Sequence, residues 1–231
     1  MIKIEDHKKL DKLIHKYKIN KIFSKDMRRY MELILFTKGE YICREGEEFT
    51  SIYLFISGKA KVFTTLSNGK SLLLSFCEDF AVLGDLELFN SIGASTNVQI
   101  ISDTYCIRIP LNKAKEDLLN DVNFLRFACE SLSEKLHVSS KKSSVNLLYP
   151  LENRLARYIF ETKETANING EDILKFQENL TEIAELLGTS YRHLHRTLNI
   201  LCNKGVIKKK NTYYEVIDGE LLESLSSDVY K

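Results

Sequence analysis

Pro110 and Pro150 are the only prolines in a chain of 231 residues. Proline has no backbone N–H and its ring clashes with the preceding turn, so it is kept out of helix interiors and central strands. Both positions therefore read as boundaries between stretches of different texture. The predicted division is 1–112, a strand-rich roll with an amino-terminal helix; 113–149, a long helix; and 150–231, a helical module ending in a hairpin. A hydrophobic fraction of 44% supplies real cores for one large or two smaller domains.

Before Pro110, "SIYLFISGKAKVFTTLSNGKSLLLSF" alternates short apolar and β-branched runs with glycines. Asn68-Gly69 between two such runs predicts a type I′ hairpin, whose two central residues need positive φ. Gly39, Gly46, Gly58 and Gly84 punctuate further strands. Many short strands with regular turns predict a jelly roll or barrel. Ahead of it, Leu10, Leu13, Ile14 and Tyr17 follow helical spacing.

Between the prolines, "DVNFLRFACESLSEKLHVSSKKSSVNLLY" predicts one long helix. Leu125, Cys129, Leu132 and Leu136 follow the 4-3-4 spacing of a coiled-coil seam, continued by Ser139, Ser143 and Asn146. Such a stripe either packs on the chain's own strands or pairs with a second copy.

After Pro150, Leu180 to Leu187 reads as a short helix with Ile183, Leu186 and Leu187 on its apolar side and small Ala184 at the crossing. Gly188 turns the chain, and Thr189 or Ser190 caps the next helix. There Leu194, Leu198 and Leu201 form a core stripe, while Arg192, His195, Arg196, Asn199 and Asn203 occupy another face. No acid lies between Gly188 and Tyr214. The pattern is a helix-turn-helix whose second helix carries major-groove chemistry. His193 and His195 are two apart and point in nearly opposite directions on a helix, so no metal site is predicted there. Val206 to Lys209 and Tyr213 to Ile217 read as a wing, placing Lys208, Lys209 and Lys210 against phosphates.

The summed charge is +1, so only local charge argues for a nucleic-acid partner. The first residues lack the apolar core of a secretory signal, and no run approaches the ~18 apolar residues of a membrane span. Five scattered cysteines, an odd number, read as reduced thiols, and the expected location is cytoplasmic.

In order along the chain, "GEYICREGEEFTSIYLFISGKAKVF", "VLGDLELF" and "TSYRHLHRTLNIL" resemble landmarks of the cyclic-AMP receptor protein/FNR family of bacterial transcription regulators. "YPLENRLARYI" and "SYRHL" are most similar to its YeiL-type branch. The resemblance spans nearly the whole chain. It implies an α+β architecture: an amino-terminal double-stranded β-helix of the cyclic-nucleotide-binding type, a long dimerisation helix and a carboxy-terminal winged helix-turn-helix. It implies a homodimer on double-stranded DNA at a palindromic promoter site, with RNA polymerase as a further partner and no enzymatic activity. Tyr191, Arg192 and Arg196 would lie nearest the bases, with Ser190, His193 and Asn199 near the backbone.

The departures bear on the signal. Family members that bind cyclic nucleotides follow the glycine of "GDLELF" with a ribose-binding glutamate and later carry a phosphate-binding arginine. Here those places hold Asp85, after Gly84, and Ser95, beside Thr96; no Lys or Arg lies between Gly84 and Tyr105. Ser139 and Ser140 take the hydroxyl positions that the long helix offers a base. Cyclic AMP is therefore not expected to bind, and the effector is unassigned. Iron–sulphur members cluster cysteines near the amino terminus, where this chain has none before Cys43, and no haem is assigned to His7, His15 or His137. No cofactor is predicted. A cupin-like metal enzyme fails on ligands, since Arg28 to Pro110 contains no histidine. A ligand-binding module whose winged domain makes protein contacts fits the basic reading helix poorly.

Overall fold

A computed structural model describes residues 1–78, 80–90, 93–168 and 170–227, and within them the side chains outside 141–148. The first elements are β1 (Ile2–Ile4), α1 (His7–Lys16), β2 (Glu32–Phe36), β3 (Tyr41–Cys43), β4 (Ser51–Thr65), β5 (Ser71–Cys77), β6 (Ala81–Leu83), α2 (Asp85–Asn90), β7 (Asn97–Pro110), α3 (Leu111–Leu119) and α4 (Val122–Leu148). After them come α5 (Leu151–Thr162), β8 (Glu164–Ile168), β9 (Glu171–Phe176), α6 (Leu180–Leu186), α7 (Tyr191–Asn203), β10 (Ile207–Lys209), β11 (Tyr214–Val216) and α8 (Gly219–Ser226). Backbone packing divides the chain into two units, 1–64 with 76–138 and 65–75 with 139–231. No described helix is long and apolar enough to cross a membrane.

The roll has strand order β1-β2-β7-β4-β5, with β3 on β7 and β6 on β4. Its centre follows from β4. Side chains on a strand alternate between faces. Ile52, Leu54 and Ile56 enter one core with Leu33, Ile107 and Ile109, closed by Leu10 and Ile14 of α1, Leu118 of α3, and Phe124 and Ala128 of α4. Tyr53 and Phe55 enter the other with Ile34, Phe36, Ile42, Val98, Ile100 and Cys106. A strand covered on both faces reads as an unbroken apolar run, as "IYLFI" does.

Three features depart from the sequence expectations. The hairpin at Asn68-Gly69 is present, but only Gly69 takes positive φ (79°). The Gly69 N–H donates to the Leu66 carbonyl and the Leu66 N–H to the Lys70 carbonyl, both at 2.8 Å. The connection is a three-residue turn with a glycine bulge rather than type I′. Second, 113–149 is not one helix, because α3 ends at Leu119 and α4 begins at Val122. Asp121 makes the break. Its carboxylate accepts from the Asn123 and Phe124 N–H groups at 3.0 Å each, and from Ser24 N–H and Oγ at 2.8 Å each. Third, β8 and β9 form an unforeseen hairpin, so the carboxy-terminal sheet has order β10-β11-β9-β8. Asn169-Gly170, the same dipeptide signal as in the first hairpin, marks it in the sequence.

Both prolines occupy helix N-cap positions, Pro110 before α3 and Pro150 before α5.

Candidate nucleic-acid interface and sensor pocket

α6 starts at Asn179, whose side chain accepts from the Thr181 N–H at 2.9 Å. It ends at Gly188 (φ 60°). There the Gly188 N–H reaches the Glu185 carbonyl at 2.9 Å and the Thr189 N–H the Ala184 carbonyl at 2.8 Å. This is the paired-bond helix stop that places a left-handed residue just past the end, and glycine pays no Cβ penalty in it. An Arg154 Nη1 bond to the Leu187 carbonyl at 2.7 Å ties the turn to α5. Ser190 then caps α7, its Oγ accepting from the His193 N–H at 3.2 Å.

On α7, Leu194, Leu198 and Leu201 are fully buried, which fixes the opposite face outward. Arg192, Arg196 and Asn199 are exposed there, and neither arginine makes an ion pair among the described residues. Tyr191 is 52% exposed and stacks on His195, with ring centroids 6.3 Å apart. Ser190 and His193, expected near the DNA backbone, are partly engaged at home: Ser190 Oγ in the cap, and the His193 ring 3.3 Å from Thr189 Oγ1.

β10 and β11 pair with Ile207 opposite Val216 and form the expected wing. Its lysines are not equivalent. Lys208 and Lys209 are exposed and without an ion pair among the described residues. Lys210 lies 2.9 Å from Glu215, whose hydrogen bond raises the lysine's pKa. Its charge is shared with Glu215, unlike those of the other two lysines expected against phosphates. A cleft between the start of α7 and the wing is lined by Tyr191, His195, Lys209, Lys210, Asn211 and Tyr213. Tyr158 on α5 buttresses the cleft's floor, donating to Glu178 at 2.5 Å and meeting Phe176 edge-on.

In the roll, Gly84 has φ 93°, and a Cβ there would meet Phe49 Cε1 at 2.1 Å and the Ser51 carbonyl at 2.9 Å. Only glycine fits this approach. Asp85 follows, buried, with Lys135 Nζ at 2.6 Å and Ser131 Oγ at 2.9 Å. Ser95 donates both its N–H (3.0 Å) and its Oγ (2.7 Å) to Glu87. The Thr96 carbonyl accepts from Cys43 Sγ. Ser139 and Ser140 are exposed on α4. The place where an anion would meet Ser95 thus holds the chain's own carboxylate. A cation does reach this region, but from α4; its signal was the continuation of the Phe124–Ala128 stripe through Ser131 to Lys135 at 4-3-4 spacing.

Next round the helix lies the predicted seam. Leu125 and Leu132 are half-buried, Cys129 is exposed and Leu136 is 70% exposed. The chain's own core takes Phe124 and Ala128 instead. Ser143 and Asn146 lie outside the described side chains.

Cys106 is buried in one roll core, and Cys43 and Cys77 pack against that core. Burial pushes the Cys43 thiol up to about 12 and raises Cys106 as well. Cys43 and Cys106 stay protonated and pack as small apolar groups.

The family model of the cyclic nucleotide-binding domain matches residues 33–120, and that of the Crp-like helix-turn-helix domain matches residues 153–225. The regulatory protein YeiL of Escherichia coli is 30% identical over 90% of this chain and 91% of its own length. The cyclic AMP receptor protein of Thermus thermophilus is 23% identical over 85% of this chain and 89% of its own. A solved Eubacterium rectale regulator of the crp/fnr family superposes with a TM-score of 0.71 at 18% identity, covering 87% of this chain and 91% of that one.

Proposed function

The chain belongs to the cyclic-AMP receptor protein/FNR family of transcription regulators, and from that premise we propose that it is a sequence-specific regulator binding DNA as a homodimer. The carrying observation is the outward face of α7: Arg192, Arg196 and Asn199 exposed, with neither arginine ion-paired among the described residues. Arginine forks match the guanine edge in the major groove. The α7 core stripe holds that face outward, and Lys208 and Lys209 on the wing supply sequence-independent phosphate contacts.

Two copies pair along Leu125, Cys129, Leu132 and Leu136, which sets the reading helices about 34 Å apart, one turn of DNA, on a palindromic site. Residues 1–112 act as the sensor, 113–149 as the coupling segment and 150–231 as the DNA-binding part. RNA polymerase is the partner that regulation then requires. The roll does not take cyclic AMP. A cyclic nucleotide brings a negative charge that is costly to bury unpaired, and Glu87 already accepts both Ser95 donors.

Selection from a random duplex library tests this reading. The enriched sequences should be palindromic with half-sites one turn apart. Arg196→Ala should lose about 1–3 kcal/mol of discrimination at one position per half-site and leave the others intact. Absence of any enriched sequence would refute base reading by α7.

A further inference from the structure

The Asp85 carboxylate is saturated. Lys135 Nζ lies 2.6 Å from Oδ1, Ser131 Oγ donates to Oδ2 at 2.9 Å, and the Leu86 N–H reaches Oδ1 at 3.1 Å. The same ammonium donates to the Val82 carbonyl at 2.8 Å. One cation is therefore held by groups on both sides of the Gly84 turn. A buried carboxylate stripped of its cation is strongly disfavoured, so this place must be occupied. The Asp85 side chain is 2% exposed but that of Lys135 is 43% exposed. The Lys135 side chain is thus partly open to solvent while its ammonium donates to the Val82 carbonyl and the buried Asp85 carboxylate. This is the anatomy of an ammonium seat, reachable from outside, that the chain fills with its own side chain.

The seat also orients a helix. Phe124 and Ala128 anchor the first turns of α4 in the roll core, and Ser131 and Lys135 extend that stripe to Asp85. Leu132 and Leu136 follow each of these by one residue. Apolar packing fixes the rotation of α4 at its start, while the ion pair fixes it further along, where the proposed seam begins to stand free. We propose that Asp85 is a seat for a primary ammonium group, that Lys135 fills it as an internal ligand, and that this contact, rather than a diffusible effector, holds α4 in the rotation used for dimeric DNA binding. The mechanical half of the proposal rests on the dimer reading above; the seat itself does not.

Chemical rescue in the full-length chain separates the two. Lys135→Ala empties the seat and leaves it open to solvent. DNA affinity should fall on the order of tenfold, and amides of residues 128–138 should exchange faster. Millimolar n-butylamine should restore both, whereas tetramethylammonium at equal concentration should restore neither, because it has no N–H to donate. Lys135→Met keeps an apolar side chain of similar length over the seat, so it should show the loss without the rescue. Unchanged affinity and exchange in Lys135→Ala, or a loss that butylamine leaves untouched, would overturn the seat. If butylamine restores amide protection but not DNA affinity, the seat stands and its link to the dimer is overturned. A Leu132→Glu chain that remains dimeric would overturn the seam alone.

Discussion

The wing offers the sharpest quantitative test, because its three consecutive lysines are placed differently. Lys209 is exposed, while Lys210 is 2.9 Å from Glu215. Each lysine that neutralises a phosphate releases condensed counterion and adds about 0.9 to the slope of log affinity against log salt. A homodimer carries two wings, so Lys209→Ala removes two contacts and should flatten the slope by about 1.8. Between about 50 and 200 mM salt, a fourfold change, the deficit of this variant relative to wild type should then shrink by about twelvefold. Lys210 is different, since its charge is already shared. Removing it alone would leave Glu215 facing the DNA, so the informative change is the double Lys210→Ala/Glu215→Ala. That variant keeps the net charge and should hold the slope within a few tenths of wild type. Glu215→Ala alone releases Lys210 and should steepen the slope. Fluorescence anisotropy of labelled operator DNA across a potassium chloride series reads all four proteins. An equal flattening in Lys209→Ala and the double variant would show that the Lys210–Glu215 pair does not persist in solution. No flattening in either would remove the wing from the phosphates.

Replacing Leu132 with Glu places a charge in the proposed seam; light scattering should show a monomer, with the roll's circular dichroism retained and operator binding lost. Asp121→Ala removes the α4 start and leaves Ser24 donors without their acceptor, at a cost of about 2–4 kcal/mol in urea unfolding of the roll. Burial alone would raise the Asp121 pKa, but the bonds from Phe124, Ser24 and Asn123 outweigh it and hold it below the usual range. Its contribution is therefore fully present above about pH 4, and the gap between wild type and Asp121→Ala should close as pH falls through the lowered folded value. Calorimetry with cyclic AMP and cyclic GMP should give no binding at micromolar concentration; micromolar binding would mean that Glu87 yields Ser95 to an incoming phosphate.

Local rules made much of this chain legible. The two prolines mark the starts of α3 and α5, where a missing N–H is harmless. Gly188 followed by Ser190 announces a helix stop and a helix start, and the Leu194–Leu198–Leu201 stripe then dictates which face of α7 looks outward. Those are properties of neighbours in sequence, set by backbone sterics and helical period. What tertiary structure decided lies between residues far apart. Asp85 meets Lys135 across fifty positions, Glu215 lies opposite Lys208 in the cross-strand register yet pairs with Lys210, two residues further along, and Cys43, Cys77 and Cys106 share a core that their spacing does not reveal. Asp121, read as one residue of a continuous helix, caps α4 through its own Asn123 and Phe124 N–H groups, and only the fold brings Ser24 to complete the carboxylate's bonds. Electrostatic pairing depends on distance in space, and once a chain folds back on itself that distance no longer follows from distance along it.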